Sequence, residues 1–283
     1  MTFVFLYFRS YSKIASRFDQ LFKRIGSGRK RMIDAHIHLQ DERFAADRDD
    51  LLRQAESNGV KEFFCASAHP SDWLKILELS EKHHGIRPFI GTHPRYAEKH
   101  PSSLFKELLK KHPRAGIGEI GLDAIKGDPA QENVFEDQLR IAADLNRPCV
   151  IHCVKSFDQT AAVLKRLKKI PSALMFHGFS GTLQQANFLL RFNAYFSFSG
   201  SVLFENRKKL QAVLAALPAD KILAETDAPD MLPPEKFRVA PNDLRNVPSN
   251  LTSIIQGLAE IRKTDTATFR SLLDRNARRF YLF

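Results

Sequence analysis

The sequence predicts an α/β fold of the (β/α)₈ barrel type, with a metal site at the C-terminal ends of the strands. Three observations predict it. Short apolar runs alternate with amphipathic, helix-spaced segments eight times over roughly 250 residues, the size expected of such a barrel. Residues with hard ligand atoms end the first, fourth, fifth, sixth and eighth runs, and closure would bring all of them to one rim. The competing doubly wound sheet is disfavoured, because no Gly-x-Gly-x-x-Gly loop follows the first strand.

The eight strand candidates are 32–39, 61–68, 86–92, 115–122, 148–153, 173–178, 194–199 and 221–227. The first reads MIDAHIHL, and its His36 and His38 lie two apart. Residues two apart on a strand point the same way, so both imidazoles are expected on one side. After the second run, Ser71–His84 starts at a capping serine, places Trp73, Leu74, Ile76 and Leu77 on one side, and stops at Gly85. The fourth run ends in GEIGLD and carries Glu119. Gln131–Leu145 follows it, with Phe135, Leu139, Ala142 and Leu145 at helical spacing before Pro148.

The fifth run, PCVIHC, carries His152, and a helix over Asp158–Lys168 follows. The sixth, ALMFHGF, carries His177, and the seventh leads to a helix over Phe204–Leu217. The eighth, KILAETDAP, carries Glu225 and Asp227, again two apart. Two helices near 249–262 and 266–280 end the chain. Between them and strand eight, Ala228–Asn250 shows no helical periodicity and contains Pro229, Pro233, Pro234, Pro241 and Pro248, with Lys236, Arg238 and Arg245. Long ordered connections are usually functional, and this one is expected across the barrel mouth.

Charge separates the chain into two parts. Residues 1–31 hold eight Lys/Arg against one acid, Asp19, so +7 of the net +11 belongs to this extension. The basic balance is thus weak support for a general nucleic-acid binder. An Arg-rich, acid-poor, Ser-containing extension fits a transit peptide for organellar import. The plainer reading starts the protein at Met32, where the first strand begins, with residues 32–283 as the barrel and a cytoplasmic location. The apolar run Thr2–Phe8 is too short to span a membrane. Cys65, Cys149 and Cys153 form no Cys-x-x-Cys pair and read as buried thiols; the last two flank His152 at odd offsets and are expected to face away from the site.

A lone histidine on an apolar strand is ordinarily a core residue. Six liganding positions at equivalent strand ends are not explained that way. His36, His38 and Asp227 suit one cation; His152 and His177, on adjacent strands, suit a second. Glu119 between them is placed to bridge. Four imidazoles and two carboxylates suit zinc, manganese, iron or cobalt, and accept weakly held magnesium. One or two such ions can clamp the oxygens of an in-line displacement, with Asp227 as general base. Glu225 either orients a ligand or the water from behind, or is a structural carboxylate bonded to backbone.

The strings DAHIHL, GTHP, GEIGLD, FHGFSG, ETDAP and NARRF, in this order and spacing, resemble the TatD family of metal-dependent deoxyribonucleases, within the amidohydrolase-like barrels. The resemblance covers residues 32–283. It implies divalent metals (Mg, Mn or Zn) held by His36, His38, Glu119, His152, His177 and Asp227, with Asp227 and Glu119 catalytic. It also implies a nucleic-acid substrate (DNA, or RNA) cleaved 3′ to 5′. Separately, the sequence has no long apolar run to suggest a membrane, and nothing in it requires a protein partner. His93, in GTHP, is either a substrate-binding residue or a histidine hydrogen-bonded at the turn before Pro94. Many members place arginine two residues after the strand-five histidine; here the cation is Lys155, shifted by one, and a point charge makes a less directional phosphate contact. Two other functions compete: removal of D-amino acids from tRNA or other ester and amide hydrolysis on the same scaffold, and non-catalytic nucleic-acid binding. His69 ranks below His93 as a mouth residue. His83, His84, His100 and His112 read as surface residues, and Lys165, Arg166, Lys168 and Lys169 as a solvated face.

Overall fold

The computed structural model describes residues 31–282, so the basic extension at 1–31, Arg31 apart, lies outside the described residues. Eight strands run in sequence order, every neighbouring pair parallel: β1 (Met32–Ile37), β2 (Val60–Ala66), β3 (Ile86–Ile90), β4 (Gly116–Asp123), β5 (Cys149–Val154), β6 (Leu174–Phe176), β7 (Ala194–Phe198) and β8 (Ile222–Ala224). The segment after β8 closes the barrel onto β1. There Asp227 N–H donates to the His36 carbonyl at 3.0 Å, and His38 N–H donates to the Ala228 carbonyl at 2.9 Å. The strands match the sequence expectation in number and order, but β6 and β8 are only three residues long. Both are shorter than expected because their C-terminal residues leave the ladder to build the site.

Alternation divides the strands into two apolar layers. Phe64, Ala66, Phe89, Val150, Met175, Tyr195 and Leu223 fill one cluster, which Ala277 and Phe280 complete. Phe63, Cys65, Ile90 and Ile151 belong to the second, shared with the surrounding helices. Burying one such aromatic or aliphatic side chain stabilises by about 1.5–3 kcal/mol. Two strands break the alternation. Ala35 lies in the first layer while Ile37 lies in the second, and the β1–β2 register shifts between Asp34 and Ile37. In β4 the register shifts between Ile117 and Ile120, and both isoleucines join the second layer although they are three apart. These irregularities coincide with His36 and Glu119, and bulges of this kind re-aim side chains beside active sites.

Among the described residues the helices are α1 (Arg48–Ser57), α2 (Asp72–Lys82), α3 (Ser102–Lys111), α4 (Gln131–Asp144), α5 (Phe157–Arg166), α6 (Leu183–Leu189), α7 (Lys208–Ala216), α8 (Leu251–Ile261) and α9 (Thr266–Tyr281). One follows each strand, and α9 is extra. Its Phe280 lies 5.9 Å from Phe64 and 6.0 Å from Phe89, ring to ring, while Asn276 donates to the Ala219 and Ile222 carbonyls at the start of β8. This helix therefore seals the end opposite the site. None of the described helices is long and apolar enough to cross a membrane.

Three expectations need correction here. Ser71 makes no side-chain cap; the Asp72 carboxylate accepts from the Ala68 and His69 amides instead. Leu74 is exposed, one step around α2 from the buried Trp73, Ile76 and Leu77. His100 is half-buried: its ring lies 5.1 Å from Phe105 and 5.9 Å from Trp73, and Nδ1 meets the Thr92 hydroxyl at 2.8 Å. The turn after β3 folds it back against α2 and α3.

That placement predicts a pH effect. Burial pushes the His100 imidazole below its ordinary value. The unfolded chain therefore takes up a proton at a higher pH than the folded one, and stability falls as pH drops below about 6.5. One proton sets an upper limit of about 1.4 kcal/mol per pH unit, and a half-buried ring realises a fraction of it. Thermal unfolding of the parent and His100→Gln between neutral and mildly acidic pH should show a smaller acid loss in the variant. Parallel curves would remove His100 from the account.

Candidate metal centre

The two breaks in alternation turn His36 and Glu119 toward the same point from opposite sides of the barrel. His36 and His38 Nε2 each lie 3.4 Å from Asp227 Oδ1, and 3.5 and 3.6 Å from Glu119 Oε2. These separations are too long for good hydrogen bonds. They are the separations of ligands around one ion: atoms about 2.1 Å from a tetrahedral metal lie about 3.4 Å apart. His38 Nδ1 is 2.8 Å from the Ala66 carbonyl, which can only accept, so Nδ1 carries the proton and Nε2 is left with its lone pair. His36 is fully buried, and neither of its ring nitrogens has a hydrogen-bond partner. A buried imidazole that faces two carboxylates without bonding either has the environment of a metal ligand.

The second oxygen of Glu119 serves another group. Oε1 lies 2.7 Å from both His152 Nδ1 and His177 Nε2, which are 3.2 Å from each other, and 3.6 Å from His93 Nε2. Burial opposes ionisation of Glu119, but the surrounding imidazoles of His177, His93 and His152 outweigh it and hold the carboxyl well below the usual range. Burial likewise opposes ionisation of Asp227, and His36 and His38 override it. One carboxylate thus faces two sets of ligand atoms, one oxygen to each.

Side chains that the sequence does not single out hold this arrangement. Asp123 Oδ2 lies 3.3 Å from His152 Nε2, on the opposite side of that ring from Glu119. A carboxylate behind a ligating imidazole fixes its orientation. Its position carries a signal, since an offset of four from Glu119 along a strand shares a face. Asp34, two before His36, accepts from Thr226 N–H at 2.9 Å and from its hydroxyl at 2.5 Å. Burial raises its pKa to about 7. This tie sets the residue before Asp227, whose own φ of +58° carries the chain off the strand path.

Glu225, also buried, lies close enough to His36 and Asp227 for their charges to act on it. It accepts from Gly178 N–H at 2.6 Å and from the Ser197 hydroxyl, and so anchors the turn directly after His177. Burial pushes its pKa up.

His93 makes the turn hydrogen bond and also lines the cleft. Nδ1 accepts from Arg95 N–H at 3.1 Å, so the neutral ring carries its proton on Nε2, which faces the cleft. Burial lowers its pKa to about 3, keeping it neutral. Lys155, with φ +50°, lines a neighbouring cavity of about 320 Å³ that reaches His177, together with Cys153, Phe157 and Phe179. The cleft over Glu119, about 600 Å³, is lined by Arg95 and Lys126 and not by Lys155. His69 does not line the cleft; its ring bonds Ser71 and packs 4.9 Å from Tyr96.

The long connection after β8 reaches the mouth through Asp230 and Met231 and contains two 3₁₀ turns, Glu235–Phe237 and Pro248–Asn250. Two of its cations are engaged elsewhere, Arg245 by Asp47 and Asp243, and Arg238 by the Pro233 carbonyl. Cys65 and Cys149 are buried free thiols, whereas Cys153 is partly exposed along the neighbouring cavity.

A (β/α)₈ barrel whose rim gathers His-x-His, a bridging glutamate, two further histidines and an aspartate defines a metal-dependent hydrolase. Comparison with known proteins gives the same class. The family described as TatD related DNase matches residues 33–282. The metal-dependent hydrolase YjjV of Escherichia coli K12 is 31% identical over 241 residues, covering 82% of this chain and 91% of YjjV. Its crystal structure superposes with a TM-score of 0.79, covering 89% of this chain and 98% of that one at 28% identity. The 3′-5′ ssDNA/RNA exonuclease TatD of the same organism is 31% identical over 258 residues, covering 88% of this chain and 98% of its own. The chain belongs to the TatD family and is a metal-dependent hydrolase of that type.

Proposed function

We propose that this protein is a 3′-to-5′ exonuclease of single-stranded nucleic acid, with His36, His38, Glu119 and Asp227 holding one divalent cation and Glu119, His152 and His177 a second. The observation that carries this reading is the single carboxylate of Glu119, with one oxygen toward each set of imidazoles. Relatives about as similar as YjjV that carry the name 3′-5′ ssDNA/RNA exonuclease support the substrate class. When bound, a pair of cations activates water and offsets the charge that builds on a phosphoryl group in displacement.

The protein side of the chemistry follows from the residues. Asp227 accepts the proton of the attacking water on Oδ2, the oxygen not shared with His36 and His38. His93, neutral and protonated on Nε2, donates to a phosphoryl oxygen seated above Glu119. Asp123 holds the His152 ring, and Glu225 holds the turn after His177.

The test uses the full chain, stripped by chelator and resupplied with magnesium, manganese, zinc or nothing. The substrates are single-stranded DNA and RNA labelled at the 5′ end. A ladder that shortens from the 3′ end and needs added ion is the expected result. A preparation that rebinds metal and cleaves neither polymer with any ion sinks the assignment.

A further inference from the structure

Two charges at the cleft are unspent. Arg95 and Lys126 line it, are exposed, and make no ion pair among the described residues. The acid beside them at the mouth, Asp230, is paired with another cation: Arg43 donates to both of its carboxylate oxygens, at 2.9 and 2.8 Å, and is shared with Asp41. Asp123, lower in the cleft, is engaged by the Ile125 and Lys126 amides at 2.8 and 2.9 Å and by His152.

Both cations are fixed relative to the site through their own backbones. The Arg95 amide donates to the His93 ring, and the Lys126 amide donates to the Asp123 carboxylate. Each cation therefore rides on a turn pinned by a residue that faces Glu119 or His152. The same rim carries Ile125 and Met231, apolar side chains that are 60% and 40% exposed. Free cations next to exposed apolar surface match a polymer with phosphates and unpaired bases. A paired duplex would offer its phosphates and hide its base faces.

We infer that Arg95 and Lys126, on the turns after β3 and β4, bind the phosphates of the single strand next to the scissile one. The nucleotide held there lies along Ile125 and Met231. The strand is thereby led out over the β3–β4 side of the rim. This inference rests on the nucleic-acid reading above, and its test separates the two.

Binding of a short single-stranded DNA, protected by phosphorothioate linkages at its 3′ end, is followed by fluorescence anisotropy with the metal-loaded full chain at several salt concentrations. The double variant Arg95→Ala/Lys126→Ala should bind about tenfold more weakly, with the salt slope reduced by about 0.7 per cation, ~1.4 in all. Lys165→Ala/Lys169→Ala removes equal charge behind β5 and should leave the slope at the parent value.

If the parent binds and the Arg95/Lys126 variant keeps its affinity and slope, the inference falls and the exonuclease reading stands. Equal losses in both double variants reduce the effect to a diffuse field and also overturn the inference. A parent that binds no nucleic acid overturns the function and the inference together.

Discussion

Replacing Asp227 with asparagine is expected to lower kcat for phosphodiester hydrolysis about a thousandfold, within the ~10²–10⁴ that a positioned general base contributes. The side chain has two tasks that asparagine performs badly. Its Oδ1 lies 3.4 Å from both His36 and His38 Nε2, where a charged oxygen is needed to balance a cation. Its other oxygen is the proposed proton acceptor, and an amide has no useful basicity there. The scaffold around it should survive. The backbone of Asp227 is held by the His36 carbonyl, and that of Thr226 by Asp34, neither of which the substitution touches. Unfolding temperature should therefore stay near the parent's while turnover collapses. A variant with more than about a tenth of parental kcat would remove Asp227 from the proton transfer. A variant that is inactive only because it is unfolded would show it in the melting curve.

The site is legible in the sequence because its residues violate the rule that strands obey elsewhere. Apolar strands of a barrel carry ionisable groups only where something engages them, so His36, His38, Glu119, His152, His177 and Asp227 stand out against their neighbours. The structure brings the four histidines around the Glu119 carboxylate, with Asp227 facing His36 and His38. Their orientation is less legible. Strict alternation places His36 and His38 together, and they do meet, but only because the β1 register slips between Asp34 and Ile37. The same alternation places Glu225 near Asp227, where it feels that charge, but alternation does not show that its oxygens bond Gly178 N–H and Ser197. β8 ends at Ala224, and the left-handed Asp227 follows within three residues.

Other misses share one cause: the partner of a surface charge lies far away in sequence. Arg245 pairs with Asp47 across 198 residues, and Arg43 reaches Asp230 across 187, so no local pattern shows that either is paired. Arg95 and Lys126 look no different in the sequence, yet among the described residues they end without an acid. Helices α1, α3 and α6 escape as well. Each buries only two or three apolar side chains, but α2 buries three and α7 one and both are legible, so the count alone does not explain it. Helix α4 buries six residues, and its spacing in the sequence locates its end to within one residue.

Gly121→Ala should be the most damaging single-methyl change near the site, unfolding the barrel and releasing metal together. Gly121 has φ +149°, a region that side chains avoid, and a β-carbon there would lie 1.9 Å from the His152 carbonyl oxygen. Backbone strain costs about 1–3 kcal/mol and the forced displacement about 1–3 more. For a domain of this size that amounts to a fall in Tm of roughly 10 °C. The clash also has a direction. Gly121 pairs with His152 in the β4–β5 ladder, and Asp123 pairs with Val154 two steps on. Relief by separating these strands moves His152 away from Glu119 on one side and Asp123 on the other, the two contacts that fix its ring. Metal retained after gel filtration, measured by elemental analysis alongside the melting curve, should drop even below the melting temperature. If the alanine variant keeps parental Tm and metal content, β4 and β5 can part without cost, and the site does not depend on their register. Loss of stability with full metal content would place the strain in the fold alone and leave His152 held by something other than this ladder.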